Sequence, residues 1–450
     1  MSKKGTKYIG EQTEKAMKNF PFSAPPISHE LVYAIALIKK AAALANFKSG
    51  NLDLDRKNAI IKSADEILMG KFDSEFSLSA LQGGAGTSIH MNVNEVIALR
   101  ASEILNEKNI SKKTVDSKLK VHYIDHVNLS QSTNDVLPSA LKIASEKLLI
   151  QLIKDLDKVI SIFENKAKEF KNILKLGRTH LQDAVPTTLG AEFKAYADIL
   201  KRDQNRLKES LSYFYELNLG GTAIGDSINA SPEYLKLIYV ELNKLTGKSF
   251  KPSKNFMSQT SSQSDFVMLS CMVTLLSLDA SKIANDIRFM ASGPKGGIGE
   301  IELGELQKGS SIMPGKVNPI LPEAVNQLYF WVSGNNLSIE HAAQASQLEL
   351  GVMGPTISDS LIMSLKLADE VLLKFAEDCI KNIKANKERC LDLLEKSSAY
   401  ATLFSPVLGY DTVAEIVKES FKENLSFKEL VLSKKLISEK EFNKILKKRN

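Results

Sequence analysis

From Leu137 to Phe163 the chain returns to an apolar residue every third or fourth position: Leu137, Leu141, Ala144, Leu148, Leu152, Leu156, Val159 and Phe163. That spacing puts all of them on one stripe of an α-helix about seven turns long. A helix of that length with a single apolar side is held mainly by packing against similar helices, so it constrains the fold before anything else does. Its start is marked by Ser132, Thr133, Asn134 and Asp135, polar residues able to accept the free N–H groups of a first turn.

The same periodicity predicts four further long helices. One follows Pro186, with Leu189, Phe193, Tyr196, Ile199 and Leu200 on one face, and continues towards Leu217. The others cover about Gln263 to Met290, the stretch after Pro322 past Trp331 into Ala342 to Leu350, and roughly Ile357 to Asn386. Five such helices in one chain imply an all-α fold built on a central bundle. The expected organisation is a mainly helical N-terminal domain over residues 1–131, the five-helix bundle over 132–386 and a small helical C-terminal domain over 387–450. Short helical patterns around Val413 to Phe421, Phe427 to Leu432 and Glu439 to Leu446 support the last.

Composition narrows the function classes. The 59 basic residues are interspersed among 53 acidic ones, for a net charge of +6. That pattern suits a small anionic substrate and argues against nucleic acid. The one local run, Lys447, Lys448 and Arg449, reads as a solvated tail. Cys271, Cys379 and Cys390 are odd in number and far apart, which suggests neither a disulfide framework nor a zinc site. With no apolar segment after the charged N-terminus and no run of about 18 uncharged apolar residues, the expected setting is the cytoplasm, without a membrane.

The chemistry lies between the helices, in polar or glycine-rich segments at Gly83 to Asn94, Asn128 to Asp135, Gly177 to Pro186, Gly220 to Asn229 and Gly293 to Pro319. The most informative is Gly309-Ser310-Ser311-Ile312-Met313-Pro314-Gly315-Lys316-Val317-Asn318-Pro319. It holds two hydroxyls, a cation and an amide among hinge residues, the parts needed to fold over a carboxylate. Taken alone, those residues also make an ordinary surface turn. Likewise Ser132 and Thr133 alone are N-capping residues, and His180 alone is a loop hydrogen-bonder.

Together, these segments resemble the aspartase/fumarase superfamily. GSSIMPGKVNP matches its signature loop. GGAGTS (Gly83 to Ser88), HMNVNEV (His90 to Val96), HVNLSQSTND (His126 to Asp135), GRTHLQDAVPTTLG (Gly177 to Gly190), LNLGGTAIG (Leu217 to Gly225) and SGP (Ser292 to Pro294) also match, so the likeness covers nearly the whole chain. It implies a three-domain subunit whose central helices form a twenty-helix core in a homotetramer, with each active site drawing loops from three subunits. No metal or organic cofactor is implied.

The roles the resemblance carries over are specific. Ser310 aligns with the base that removes the proton beside a carboxylate. Its alkoxide would need backbone N–H donors and nearby positive charge. Lys316 aligns with a supplier of that charge and binds a carboxylate together with Asn318. Thr87, Ser132, Thr133 and Ser311 align with the donors that hold the second carboxylate as its charge grows in an aci-carboxylate intermediate. Asn134 and His180 align with positions near the leaving group, Thr179 with a contact to the other carboxylate, and Glu323 with the carboxylate that orients the histidine.

The reaction so implied is reversible elimination of ammonia from L-aspartate to give fumarate, because Gly83 to Ser88 and Gln131 to Asn134 look like the aspartase versions of these loops. Hydration of fumarate, and a catalytically silent homologue, are the alternatives. Against the family pattern stand Ile89 and His90 in place of Thr-Asn, Lys295 in place of arginine, Gly304 in place of proline, and Gly351 and Gly354 within NVMEP. The N-terminus keeps only Gly10, Gln12, Thr13 and Ala16 of its motif before Asn19 and Phe20. His122 to Asp125 match a secondary anion site of the fumarases only at the ends, and His29, His126 and His341 read as packing or surface residues.

Overall fold

The computed structural model describes residues 8–112 and 120–447, so Lys448 and Arg449 of the basic tail lie outside the described residues. Helix follows helix in chain order: α1 (Glu11–Asn19), α2 (His29–Lys48), α3 (Leu54–Leu68), α4 (Thr87–Lys112) and α5 (Thr133–Glu169). After a hairpin of β1 (Leu174–Thr179) and β2 (Gln182–Thr188) come α6 (Leu189–Phe214), α7 (Pro232–Thr246), α8 (Phe256–Ser261) and α9 (Ser264–Met290). The chain ends with α10 (Ile320–Gln344), α11 (Gly354–Lys374), α12 (Lys387–Lys396), α13 (Ser405–Leu408), α14 (Tyr410–Glu423), α15 (Phe427–Ser433) and α16 (Glu439–Lys447). The fold is all-α, and the five long helices α5, α6, α9, α10 and α11 stand close to where periodicity puts them.

Three expectations need correction. Gly177 to Pro186 is not a loop but most of an antiparallel hairpin, with Leu174 opposite Thr188 and Thr179 opposite Gln182. The segment from Gly83 gives way to helix at Thr87, well before Asn94. The fifth helix stops at Lys374 and widens into a π-turn over Phe375–Cys379 and a 3-10 turn over Ile380–Asn382.

The chain divides into two compact units. The first takes in Met1–Lys154, Asn205–Leu275 and Phe330–Asp369. Its N-terminal helix is tied down by Glu95 of α4, whose buried carboxylate accepts the backbone N–H groups of Gln12 and Thr13 at 2.8 and 3.0 Å and the Thr13 hydroxyl at 2.6 Å. The retained N-terminal residues therefore cap α1 with a side chain more than 80 residues away. Lys142, almost fully buried on α5, has its ammonium satisfied by the carbonyls of Tyr213 and Glu216, by Gln259 and by Asp265.

The second unit takes in Asp155–Gln204, Leu276–Tyr329 and Glu370–Asn450. At its C-terminal end Tyr400, Phe404, Phe427 and Phe442 stack edge to face or offset, and Leu176 of β1 packs into the same cluster. Burying such side chains contributes about 1.5–3 kcal/mol each. By length and composition alone α9 could cross a membrane, but half of its most apolar stretch is packed inside the protein, as in a core helix.

The hairpin is anchored by charge. Glu300, fully buried, accepts Arg178 Nη1 at 2.8 Å and faces Lys175 Nζ at 2.8 Å, while Lys175 also bonds Glu192. Removing the central carboxylate strips Arg178 of its carboxylate partner and leaves the buried Lys175 with Glu192 alone. We therefore expect Glu300→Ala to lower unfolding stability by about 3–5 kcal/mol. Denaturant unfolding checks this, and a loss below about 1 kcal/mol would show that the network is solvated rather than dry.

Candidate active site

The first unit carries one half of the candidate residues. Ser132 immediately precedes α5, and its Oγ accepts the backbone N–H of Asn134 at 3.3 Å, which is the capping role the residue type suggests. Asp135, three residues on, accepts the Ser132 N–H at 2.9 Å with one oxygen. Its other oxygen accepts the N–H groups of Gly220 and Thr222 at 2.8 and 3.2 Å. One carboxylate thus caps the longest helix and ties the Leu217–Gly225 turn to it.

Pro138 strengthens the tie. A proline in the second turn cannot donate to the carbonyl four residues back, which leaves the Asn134 oxygen free. Asn218 Nδ2 fills the gap at 3.0 Å, and its Oδ1 accepts the Ser139 hydroxyl at 3.0 Å. The Asn134 amide in turn donates to the Ala223 carbonyl at 2.8 Å. The side chain expected near a leaving group is therefore held in place by the turn beside it.

The glycine-rich segment before α4 meets this helix start. Gly84, Ala85 and Gly86 all have positive φ, at 83°, 56° and 85°, and Thr87 follows as the first residue of α4. At Gly86 a Cβ would lie 2.3 Å from a Leu137 methyl, so the position needs both the left-handed backbone and the missing side chain. Ala85, Thr133 and Asn134 line the same small cavity, with Thr260, Gln263 and Gly351 across it. Thr87 is exposed and Ser132 half-buried, whereas Thr133 is buried.

Behind Thr133 sits a group that sequence reasoning noticed only as a substitution. His90, fully buried on α4, places Nδ1 2.8 Å from the Thr133 hydroxyl and Nε2 2.5 Å from Lys39 Nζ. Lys39 was not anticipated as part of the site. The signal was present, because it shares its α2 face with Val32, Ile35, Ala36, Ala42 and Ala43, all buried. A lysine in that register has to find partners inside.

The second unit carries the rest. Thr179 ends β1, and His180 and Leu181 make the two-residue tip of the hairpin with φ of 55° and 60°. Two successive left-handed residues are what a tight hairpin needs, yet the position normally goes to Asn-Gly. A histidine there is held in a costly conformation and projects from a rigid base. Its side chain is exposed and has no partner among the described residues.

The Gly309–Asn318 loop closes on itself. Asn318 Nδ2 donates to the Gly309 carbonyl at 2.7 Å, and a Cβ at Gly309 would lie 2.0 Å from the Lys316 carbonyl oxygen. Only glycine fits that approach. Within the loop the Ser310 Oγ accepts the backbone N–H groups of Met313 and Ile312 at 3.0 and 3.2 Å. Ser311 and Lys316 are exposed, and Lys316 lines a cavity of about 670 Å³ together with Arg288 and the Ser292–Pro294 segment. Asn318 uses one of its two amide protons for this closure. Glu323, in the first turn of α10, and His180 have no side-chain partner among the described residues, so the two do not pair within the chain.

Residues 1–334 match a family model described as lyase, and residues 401–450 match one described as fumarase C C-terminus. The chain belongs to the aspartase/fumarase superfamily of lyases. Similar proteins include an aspartate ammonia-lyase of a Bacillus species, 43% identical over 98% of this chain and 92% of the relative. A class II fumarate hydratase of Campylobacter jejuni is 41% identical over 98% of this chain and 94% of its own. Among solved structures, a fumarate lyase:delta crystallin from Brucella melitensis bound to cobalt superposes with a TM-score of 0.92 at 41% identity, covering 98% of this chain and 95% of that one. The superfamily thus holds both ammonia-lyases and hydratases at nearly the same distance from this chain.

His122 and His126, at the partly matching anion-site segment, spend ring nitrogens on backbone N–H groups of Asp125 and His122. Burial pushes the Asp135 carboxyl up to about 6 even though three backbone N–H groups favour its charge. A carboxyl whose folded value is raised lends its stability below the unfolded value and loses it as pH rises through the folded one. Relative to Asp135→Asn, the wild type should therefore gain about 1 kcal/mol between pH 7 and pH 5. Denaturation of both proteins at the two pH values measures the difference, and a change of opposite sign would mean the carboxylate is stabilised in its charged form.

Proposed function

We propose that this lyase is an aspartate ammonia-lyase, eliminating ammonia from L-aspartate to give fumarate, with Ser310 as the base. The observation that carries the reading is the pair of backbone N–H groups directed at Ser310 Oγ. A serine hydroxyl is a feeble acid in water. Two fixed donors, a nearby lysine and exclusion of water on closure all favour its alkoxide over its hydroxyl.

In this scheme the alkoxide takes the proton from the carbon beside one carboxylate, whose second negative charge is met by Thr87, Ser132, Thr133 and Ser311. Lys316, Asn318 and Thr179 hold the other carboxylate. Ammonia leaves on the side of Asn134 and His180, and Glu323 of a neighbouring subunit orients the imidazole. The site is assembled from loops of three subunits in a homotetramer with a twenty-helix core. Large apolar side chains left open on one protomer support that assembly: Phe330, Trp331 and Leu337 on α10 are more than half exposed, and Leu275 and Leu278 on α9 nearly so.

Hydration of fumarate is the second reading, favoured by the similarity to class II fumarate hydratases. One methyl on Thr133 discriminates between leaving groups by only about 1–3 kcal/mol. Parallel assays decide between them: fumarate should accumulate from L-aspartate and not from L-malate. Release from malate alone would establish the hydratase, and inertness towards every 2-substituted succinate would leave a silent homologue. Ser310→Ala should lower kcat at least about 100-fold without changing the assembly's size, since the hydroxyl serves only its own loop. Near-normal turnover would assign the base to another group.

A further inference from the structure

The polar chain behind Thr133 has a direction. Lys39 Nζ lies 2.8 Å from Asn128 Oδ1, 3.0 Å from Gln131 Oε1 and 2.5 Å from His90 Nε2. The two amides cannot turn round. Asn128 Nδ2 donates to the Gln131 carbonyl, and Gln131 Nε2 donates to the carbonyls of Val127 and Leu129, so both amide oxygens must face Lys39. Lys39 therefore donates to both, and its remaining valence points at His90.

That remaining valence decides the rest by proton counting. When Lys39 carries three protons, the third goes to His90 Nε2, and the imidazole proton sits on Nδ1 and is donated to Thr133. The Thr133 oxygen is then an acceptor on its inner side, and its own O–H is free to point outward. When Lys39 carries two, its lone pair accepts from His90 Nε2–H. Nδ1 is then bare, and the Thr133 O–H turns inward to satisfy it.

We propose that Lys39 and His90 are positioning residues forming a proton-linked relay, which aims the Thr133 hydroxyl at a substrate carboxylate only while Lys39 is an ammonium. The inference rests on the dicarboxylate reading of the site and adds a control that the reading does not contain. It makes dicarboxylate affinity highest while Lys39 is protonated and lower as pH rises through its titration, with bound dianion in turn favouring the ammonium.

The surroundings allow such a switch. Burial pulls the Lys39 amine well below its ordinary range, opposed by the Asp135 carboxylate. Burial, then Lys39, holds the His90 imidazole far down, so it exchanges tautomers and stays neutral. The titratable groups coupled to Lys39 are His90 on α4 and Asp135 on α5; Tyr234 and Tyr239 on α7 couple in turn to Asp135, and both phenols are driven up by burial and remain neutral.

The test measures succinate binding to the assembled protein by calorimetry from about pH 6 to about pH 10, which brackets the ordinary imidazole and amine ranges. Succinate has no leaving group, so the profile reports affinity apart from Ser310 chemistry. Wild type should lose affinity about tenfold along an alkaline limb, the worth of one hydrogen bond to a charged group. His90→Phe can neither accept from Lys39 nor pair with Thr133, so its affinity should no longer change along that limb. Thr133→Val should bind about tenfold more weakly throughout, also without a limb. Melting temperature and assembly size confirm folding, and if His90→Phe does not fold, Thr133→Val decides. A wild-type profile without a limb, or a limb that persists in the folded variants, would overturn the relay while leaving the dicarboxylate reading intact. No binding by wild type at any pH would overturn both.

Discussion

The carboxylate of Asp135 holds together what the first unit needs for chemistry. It caps α5 through Ser132 and pins the Gly220–Thr222 backbone with its second oxygen. Because it is buried, its three N–H partners stand in for water that cannot reach it. The same helix start then presents Thr133 and Asn134, the first backed by His90 and the second laced to the turn through Ala223 and Asn218. A flexible loop could not hold two side chains so closely. A helix terminus capped by Ser132 and Asp135 can.

The second unit reaches the same end by different means. Its hairpin is fixed at the base by a cluster of Lys175, Arg178 and the buried Glu300, and its signature loop by a contact so close that only glycine allows it at position 309. Both devices keep backbone stiff next to side chains that are exposed. With Ser310 as the proposed base, donors already aimed at its oxygen need not reorganise when charge appears there.

The long helices were legible in the sequence because an apolar stripe of several turns leaves a periodic record, and Leu137 to Phe163 is one unbroken example. The site loops were legible through resemblance, since serine, glycine and lysine in a turn have no spacing of their own to betray a role. The hairpin at Leu174–Thr188 was not legible: Gly177 and Pro186 punctuate it like a loop, and its apolar alternation lasts too few residues to register. Nor was the end of α11 at Lys374, because the π-turn and the 3-10 turn after it still bury Phe375, Ala376, Cys379 and Ile380 as a continuing helix would. Lys39 escaped because Lys40 beside it is an ordinary partly exposed lysine, and two adjacent lysines read as one solvated face.

The hairpin tip at His180 and Leu181 shows how this scaffold would answer efforts to toughen it. Glycine at position 181 would relieve the unfavourable backbone, and a heat-resistance screen would favour that replacement early. It would also slacken the perch from which the imidazole projects. On the proposed role of His180 beside the leaving group, hardiness and turnover are set against each other at that one bend, and a lineage under pressure for speed has reason to keep the leucine.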